Sequence, residues 1–303
     1  MVIRDWSSDV CSSDLGRVVD SPLGRLAGIG GVNDSGSSCE YWRGQDSDVV
    51  VVVLCNRDYD GDALAEVVRD KLHLLLAGEN VDVPPLMPPS AVSPRSIAGT
   101  YRLNSGAELT AAAAPGSVIF TGSDQRVIDL LSFPPVTPVD SHLTLNSAAA
   151  SAAAAALKGN WEALGRLLSD RENRFARIKA FFDAIVSSKG IDAGEVRGSR
   201  SIGTFPSDYR PGLVETVVAI DFERGSTAFR FIWEDNRVVG FGLAGADRAV
   251  RTAFLPGGSD QLVGYHLGVA KVIYANLRRA GDGTVDGLIF ESSGEPVAAD
   301  RVQ

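Results

Sequence analysis

The chain has 303 residues, of which 45% are hydrophobic and 22% charged, a composition that is ordinary for a globular protein of two or three domains. Its net charge of −9 argues against nucleic acid as a partner, because phosphates require a basic surface. The longest apolar runs, 49–54 and 148–157, are shorter than the ~18 residues of a membrane span. We therefore predict a soluble α+β chain with no membrane span.

Residues 1–15 are not expected to belong to the natural protein. Positions 5–15 read DWSSDVCSSDL, which is the translation of a common sequencing-library adapter. Such a segment carries no information about the fold. The alternative is a polar, disordered N-terminus. If the segment is an adapter, the native N-terminus is missing, and the localisation of the protein stays open.

The segment 16–80 is predicted to be a hairpin of buried strands followed by a helix. The valine run at 48–54 is typical of a strand buried on both faces, and the Gly-rich stretch 28–38 is expected to turn tightly. Asp62 is expected to cap the helix, and Gly78 to end it. Its apolar face would carry Leu64, Val67, Val68, Leu72, Leu75 and Leu76, opposite a polar face of Glu66, Arg69, Asp70 and His73.

Beyond this segment, prolines divide the chain. Five prolines in 81–94 predict a semi-rigid linker, and a second Pro-rich stretch, 133–138, closes a small β domain over 95–139. That domain is predicted to be a meander with strands near 101–103, 108–112, 118–120 and 127–130.

The remaining chain predicts an α+β accessory domain over 140–255 and a C-terminal β meander over 256–303. A helical region begins at Ser147 and contains two consecutive helices, the second of which ends at Gly190. Strands are predicted after it at 195–202, 213–223, 226–233 and 237–243. The meander strands are predicted at 261–267, 270–277, 285–291 and 296–302.

Gly28-Ile29-Gly30-Gly31, then VVVVVLCN at 49–56, then the helix from Asp62 resemble the C-terminal end of the serine β-lactamase-like (penicillin-binding-protein-like) hydrolase family. Members carry His-Gly-Gly or Lys-Thr-Gly on one strand, a partner strand ending in Leu-x-Asn, and a closing helix. The resemblance covers about 16–78, so this segment would be the remnant of such a domain. The Pro-rich linker and the Gly-Thr-Tyr-Arg-Leu of 99–103 also resemble the small β domains that trail these hydrolases.

The resemblance implies amide or ester hydrolysis of a small molecule by the full-length parent. In that family, a serine in S-x-x-K attacks the carbonyl, and the Gly-rich strand supplies part of the oxyanion hole. Ile29, Gly30 and Gly31 match the Gly-rich motif by position only, because a hydrocarbon stands at Ile29 where His or Lys is expected. The alternative is that these glycines make a turn or a close strand crossing.

The nucleophile motif is absent. The residues three positions before the five lysines are Val68, Ala155, Ala176, Val186 and Gly268, so no S-x-x-K exists. A Tyr-x-Asn occurs at Tyr274-Ala275-Asn276, but it follows the Gly-rich strand, whereas the family places it before. We expect it to be an ordinary strand segment. The sequence thus assigns no catalytic residue, and the chain by itself is expected to be inactive.

Other motifs fail on spacing. Asn56-x-Asp58-x-Asp60-Gly61 opens like a calcium loop, but Val67 stands at its last ligand position, so a polar turn is favoured. Gly28-x-Gly30 has Asn33 in place of the third glycine of a dinucleotide site. His73, His142 and His266 are isolated in sequence. We predict neither a metal nor a cofactor.

Two non-catalytic alternatives stay open. The helices and sheet of 140–255 resemble the nuclear transport factor-like cone fold, which implies a small-ligand-binding module with an apolar pocket. The trailing domains could also serve as a lid or as a homo-oligomerisation module. Independently, we expect 16–78 to expose apolar surface and to associate, since it would lack most of its sheet and its helical partner domain.

Overall fold

The computed structural model describes residues 17–32, 37–56, 64–81, 92–133, 139–207, 213–266, 271–291 and 295–302. The chain divides into two compact units, Met1–Val83 (unit 1) and Pro84–Gln303 (unit 2), and each is described by itself. Both contain antiparallel strands and helices, which confirms the α+β class. The predicted helix cap Asp62 and most of the predicted linker lie outside the described residues.

Unit 1 is a four-stranded antiparallel sheet with one described helix. The sheet order is β1-β2-β3-β4. The elements are β1 (Arg17–Ser21), β2 (Gly24–Val32), β3 (Ser37–Gly44), β4 (Val50–Asn56) and α1 (Leu64–Leu76). The reversal expected within 28–38 is confirmed, because β2 and β3 pair antiparallel up to Val32 and Ser38, but the glycines themselves lie within β2, which continues to Val32. Each of these glycines pairs with a residue of β3, so the ladder hydrogen bonds stabilise the extended backbone.

The two faces of the unit 1 sheet differ. Val51 and Val53 of β4 pack with Ala65 of α1 in a small core, whereas Val50 and Val52 of the same strand are exposed. The prediction that this strand is buried on both faces is therefore wrong. Side chains alternate along a strand, and α1 covers one face only. We call the face toward α1 the inner face and the opposite one the outer face.

Unit 2 contains a closed barrel of eight antiparallel strands. Its order is β12-β13-β14-β15-β16-β5-β6-β7. The strands are β5 (Gly99–Leu103), β6 (Glu108–Ala114), β7 (Ser117–Gly122), β12 (Val250–Gly257), β13 (Gln261–His266), β14 (Lys271–Arg279), β15 (Val285–Glu291) and β16 (Val297–Arg301), with a short helix α2 (Pro94–Ile97) ahead of β5. The two meanders predicted separately thus form one barrel.

Closure of the barrel depends on two strand pairs that are distant in sequence. β12 pairs with β7, and β16 pairs with β5. Inside, the ring centroid of Phe120 lies 4.8 Å from that of Phe254 and 5.5 Å from that of Phe290, both in edge-to-face geometry. β12 was not predicted from the sequence. Without it, the two halves would share only the edge between β16 and β5, and the barrel would stay open between β7 and β13.

The chain between β7 and β12 forms the helices and a second four-stranded sheet, of order β11-β10-β9-β8. The elements are α3 (Gln125–Ser132), α4 (Val139–Leu157), α5 (Glu162–Leu167), α6 (Arg171–Ala193), β8 (Val196–Pro206), β9 (Val214–Phe222), β10 (Ser226–Glu234) and β11 (Arg237–Ala244). The four predicted strands of this region are confirmed.

Two details of the predicted helices are wrong. Positions 127–130 form part of α3 rather than a strand, because the Asp124 side chain accepts a hydrogen bond from the Arg126 N–H as an N-cap. The second long helix continues past Gly190 to Ala193. It ends at Gly194, whose φ of 83° suits a residue without a side chain.

The second sheet is buried on both faces along β9. Val217 and Ala219 belong to the core of the barrel, whereas Val218 and Ile220 belong to the core beneath α4 and α6. Successive residues of a strand that is buried on both faces do not alternate between buried and exposed positions. The barrel and the inserted sheet therefore share packing and form a single unit.

Candidate functional site

A cavity of about 350 Å³ lies in unit 1. Its volume falls in the range of small-molecule sites. The cavity is lined by the end of β1 and the turn after it, by one residue of β3 and by four residues of α1: Val19, Asp20, Ser21, Pro22, Trp42, Arg69, Asp70, His73 and Leu74. A concave space next to buried ionisable groups is the best candidate site among the described residues.

Glu40 does not line the cavity, but it bonds to two residues that do, Trp42 and Arg69. Glu40 and Trp42 both belong to β3. They are successive inner-face residues of β3, and both are buried. The Trp42 indole Nε1 donates a hydrogen bond to Glu40 Oε2, and Arg69 Nη1 donates to the same oxygen at 2.9 Å. The Arg69 guanidinium carbon lies 4.8 Å from the centre of the Trp42 ring. The strand and the helix are thus held together by a buried, charge-assisted contact.

Arg69 is fully engaged by two carboxylates. Its Nη2 lies 2.6 Å from Asp70 Oδ1, in addition to the bond with Glu40. Burial lowers the pKa of Arg69, but the hydrogen bonds and charges of Asp70 and Glu40 outweigh burial and raise it. The guanidinium therefore remains charged, and its positive charge is balanced within the site.

His73 follows Arg69 by one helical turn and is 5% exposed. Burial lowers the pKa of its imidazole, and the nearby Arg69 charge lowers it further. The ring is therefore neutral at pH 7. It packs edge-to-face on Trp42, with 6.5 Å between the ring centroids. Among the described residues, its buried Nε2 has no hydrogen-bond partner.

The sequence placed Arg69 and His73 on the polar, solvent-facing side of the helix, and this placement is wrong. Both side chains are buried, whereas Leu75 and Leu76, assigned to the apolar face, are half exposed. The reason lies in β3, where Glu40 occupies an inner-face position and pairs with Arg69. In the sequence, the spacing of Arg69 and His73 places both side chains on the same side of the helix. Only the pairing of Arg69 with Glu40 shows that this side is buried.

The residues matched to the Gly-rich motif lie on β2, opposite β3, and none of them lines the cavity. Ile29 is half exposed on the outer face beside Tyr41, its cross-strand partner. Gly31 lies on the same face, and a Cβ there would meet nothing within 4 Å. Gly30 lies on the inner face, where a Cβ would collide with the carboxylate of Glu40. The close approach of the Glu40 side chain accounts for glycine at position 30.

We expect Gly30→Ala to destabilise unit 1 by about 1–3 kcal/mol, as overpacking of a close contact does. The added methyl group would displace the Glu40 carboxylate from Arg69 and Trp42. Gly31→Ala is the matched control, since it adds the same methyl group in open space. Denaturant unfolding followed by tryptophan fluorescence measures both variants. Equal stability of the two variants would contradict this account of Gly30.

The other candidates from the sequence lie outside this site. Tyr274 and Asn276 are partly exposed and alternate with the buried Ile273 and Ala275 on β14, which confirms an ordinary strand. Asn276 Oδ1 accepts a hydrogen bond from Gln261 at 3.0 Å. Asp58 and Asp60 of the calcium-like stretch, and the side chain of His266, lie outside what the structure describes.

His142 belongs to a buried polar network in unit 2. Its Nδ1 lies 2.7 Å from Asp129 Oδ1, which also accepts a hydrogen bond from Gln125 at 2.8 Å. Gln125 continues the network by bonding to the backbone of Thr204 with both its amide oxygen and its nitrogen. The network joins α3 and α4 to β8. Its groups bond chiefly to one another, so we assign it a structural role.

Comparison of the sequence with protein-family models and with curated proteins finds no match. Within the described ranges, no group of three or more His, Cys, Asp or Glu side chains is arranged to hold a metal ion. No helix in the described part of the chain is both long and apolar enough to cross a membrane.

Proposed function

We propose that unit 1 is the C-terminal part of a β-lactamase-like serine hydrolase domain, and that this chain alone forms no acyl-enzyme. The observation that carries the proposal is the outer face of the sheet. There, Val50 is 52% exposed, Val52 56% and Leu54 79%. Three successive outward aliphatic side chains on one strand fit a sheet that is made to be covered by a second layer.

The chemistry of the chain supports the second half of the proposal. Acyl transfer of this kind needs a serine with an adjacent base, and no S-x-x-K is present. Ile29, at the position of the motif's His or Lys, donates no hydrogen bond to a substrate carboxylate. The two free cysteines of the described chain, Cys39 and Cys55, lie on β3 and β4 away from the cavity lining.

The role that we propose for unit 2 is accessory and non-catalytic. Its inserted sheet is packed under α6 by stacked rings: the ring centroid of Phe229 lies 4.6 Å from that of Phe182 and 5.3 Å from that of Phe241. Aromatic packing of this density stabilises a fold and supplies no nucleophile or base.

We expect the purified chain to show no labelling by a fluorophosphonate probe and no hydrolysis of a chromogenic β-lactam above the buffer rate. A heat-denatured sample gives the background for labelling. Labelling that requires a particular serine would contradict the proposal of an inactive chain.

The assignment to the hydrolase family has its own test. We expect a long read of the source DNA upstream of the Gly16 codon to contain an open frame that encodes S-x-x-K and then Tyr-x-Asn. A frame that begins near Gly16 would overturn the hydrolase assignment and leave a binding role for the chain.

A further inference from the structure

The unit 1 sheet ends on one side at β4, a strand of seven residues that pairs with β3 along its whole length without a bulge. In the described part of the chain, no strand pairs with the other edge of β4. An edge strand carries a row of backbone N–H and C=O groups that bond either to water or to another strand.

The hydrogen-bond pattern shows which residues carry these edge groups. The Gly44 N–H donates to the Val49 carbonyl oxygen at 2.8 Å, one position before the first paired residues of β3 and β4. Bonded and non-bonded pairs alternate along an antiparallel ladder, so every second residue from Val49 onward bonds to β3. The residues between them direct their backbone groups away from β3, and their side chains are the exposed ones on the outer face: Val50, Val52 and Leu54.

β4 lacks the features by which edge strands avoid pairing. These features are charged side chains, prolines and bulges. Positions 49–56 contain neither a charged residue nor a proline, and the register with β3 is continuous. The strand at the opposite edge, β1, is shorter and carries Arg17 and Asp20. The edge of β4 is therefore the one that accepts a further strand.

The spacing of the edge groups fits a second copy of the same strand. Antiparallel pairing about a two-fold axis at Val52 sets Val52 opposite the Val52 of the second copy, and Val50 opposite its Leu54. Each pair then joins two residues with free backbone groups, so both hydrogen bonds of each pair can form. A shift of one residue would set free groups against groups that already bond to β3. The facing side chains are all aliphatic, so no like charges meet.

We propose that two copies of this chain associate by antiparallel pairing of their β4 strands about Val52. The two four-stranded sheets of unit 1 become one continuous sheet, and the interface is the same surface on both copies. The inference rests on the backbone pattern of β4 and does not depend on the hydrolase assignment.

The first test is hydrogen exchange of the full chain, followed by NMR at several concentrations. In the monomer, the amides of Val50, Val52 and Leu54 face solvent and should exchange rapidly. We expect their exchange to be about ten-fold slower at a chain concentration about 100 times the dissociation constant than well below it, because mass action leaves few monomers. Association that leaves all three amides in rapid exchange would overturn the proposal, since the contact would then lie elsewhere. A chain that stays monomeric would also overturn it.

The second test is cross-linking, which determines the register. In a chain whose native cysteines are replaced by serine, Val52→Cys sets two thiols on directly opposite residues. The Cα atoms of such a pair are about 5.5 Å apart, a distance that a disulfide spans. Val50→Cys is the matched control, because four strand positions separate the two copies of residue 50, or about 13 Å along the strand.

Under oxidised glutathione, we expect Val52→Cys to give at least about ten-fold more covalent dimer than Val50→Cys. Equal yields from the two variants, or a larger yield from Val50→Cys, would overturn the proposed pairing. Circular dichroism of both variants checks that they fold. If either does not fold, hydrogen exchange of the unmodified chain still decides.

Discussion

Val52→Lys is expected to convert the chain from a self-associating protein into a monodisperse one. Val52 lies on the outer face of the unit 1 sheet among exposed apolar side chains. These are Ile29 (48% exposed), Tyr41 (47%), Val50 (52%), Val52 (56%) and Leu54 (79%). Contiguous apolar surface of this kind drives association, and β4 is an edge strand of the sheet. A lysine that must be desolvated in the contact opposes it.

The measurement is size-exclusion chromatography with light scattering over a range of protein concentrations. We expect Val52→Lys to raise the dissociation constant by at least about ten-fold, which corresponds to about 1.4 kcal/mol. Val52→Asp should act in the same direction, although it changes the net charge of −9 in the opposite sense. If both variants weaken the association, the cause is the charge placed on the buried outer face and not a change in the net charge of the chain.

Leu75→Lys provides the matched control. Leu75 on α1 is 51% exposed, close to the value for Val52, but it lies on the helix rather than on the outer face. It should leave the association unchanged. A monomeric unmodified chain at every concentration, or an equal effect of Leu75→Lys, would show that the outer face is not the contact surface.

Arg248→Met is expected to cost unit 2 about 3–5 kcal/mol of its free energy of unfolding, the usual effect of breaking a buried ion pair. Arg248 Nη1 is hydrogen-bonded to Glu215 Oε1, and the Glu215 side chain is fully buried. The Arg248 guanidinium carbon also lies 4.6 Å from the centre of the Phe205 ring. Removal of the arginine leaves a buried carboxylate without its countercharge.

Two further variants separate charge from packing. Arg102→Met breaks the Arg102–Glu108 pair, whose side chains are 55% and 49% exposed, and should cost about 0–1 kcal/mol. Adding Glu215→Gln to Arg248→Met should recover part of the loss, because it removes the unpaired charge. Denaturant unfolding followed by circular dichroism measures all of them. A cost for Arg248→Met as small as that for Arg102→Met would contradict the role of the buried pair.

Local patterns predicted most of the secondary structure. The strands β8 to β11 lie where the sequence predicted strands. Between β10 and β11, Asp235 and Asn236 have the positive φ of a tight hairpin. Turn chemistry and side-chain alternation depend on neighbouring residues only. The described part of 16–78 exposes apolar side chains, as expected. That expectation rested on the proposed loss of a partner domain, whereas the valine run predicted burial on both faces.

Long-range pairing was beyond the reach of these patterns. Nothing local to β7 indicates that its edge pairs with β12, some 130 residues later, so two meanders were predicted where one barrel exists. Likewise, α3 carries Val127, Ile128 and Leu131 toward the shared core, a short apolar run that periodicity alone reads equally well as a strand.

The candidate site was decided by tertiary structure. The sequence by itself determined the α+β class, the absence of S-x-x-K and the presence of the valine strand β4, but not that only one face of this strand is covered. The sequence did not locate the cavity, because its pattern assigns Arg69 and His73 to the solvent-exposed side of the helix. In the structure, Arg69 contacts Glu40 and His73 contacts Trp42, both on β3. Burial of a charge is stable only with a partner of opposite charge. That partner is 29 residues away in the chain, and only the fold brings the two together.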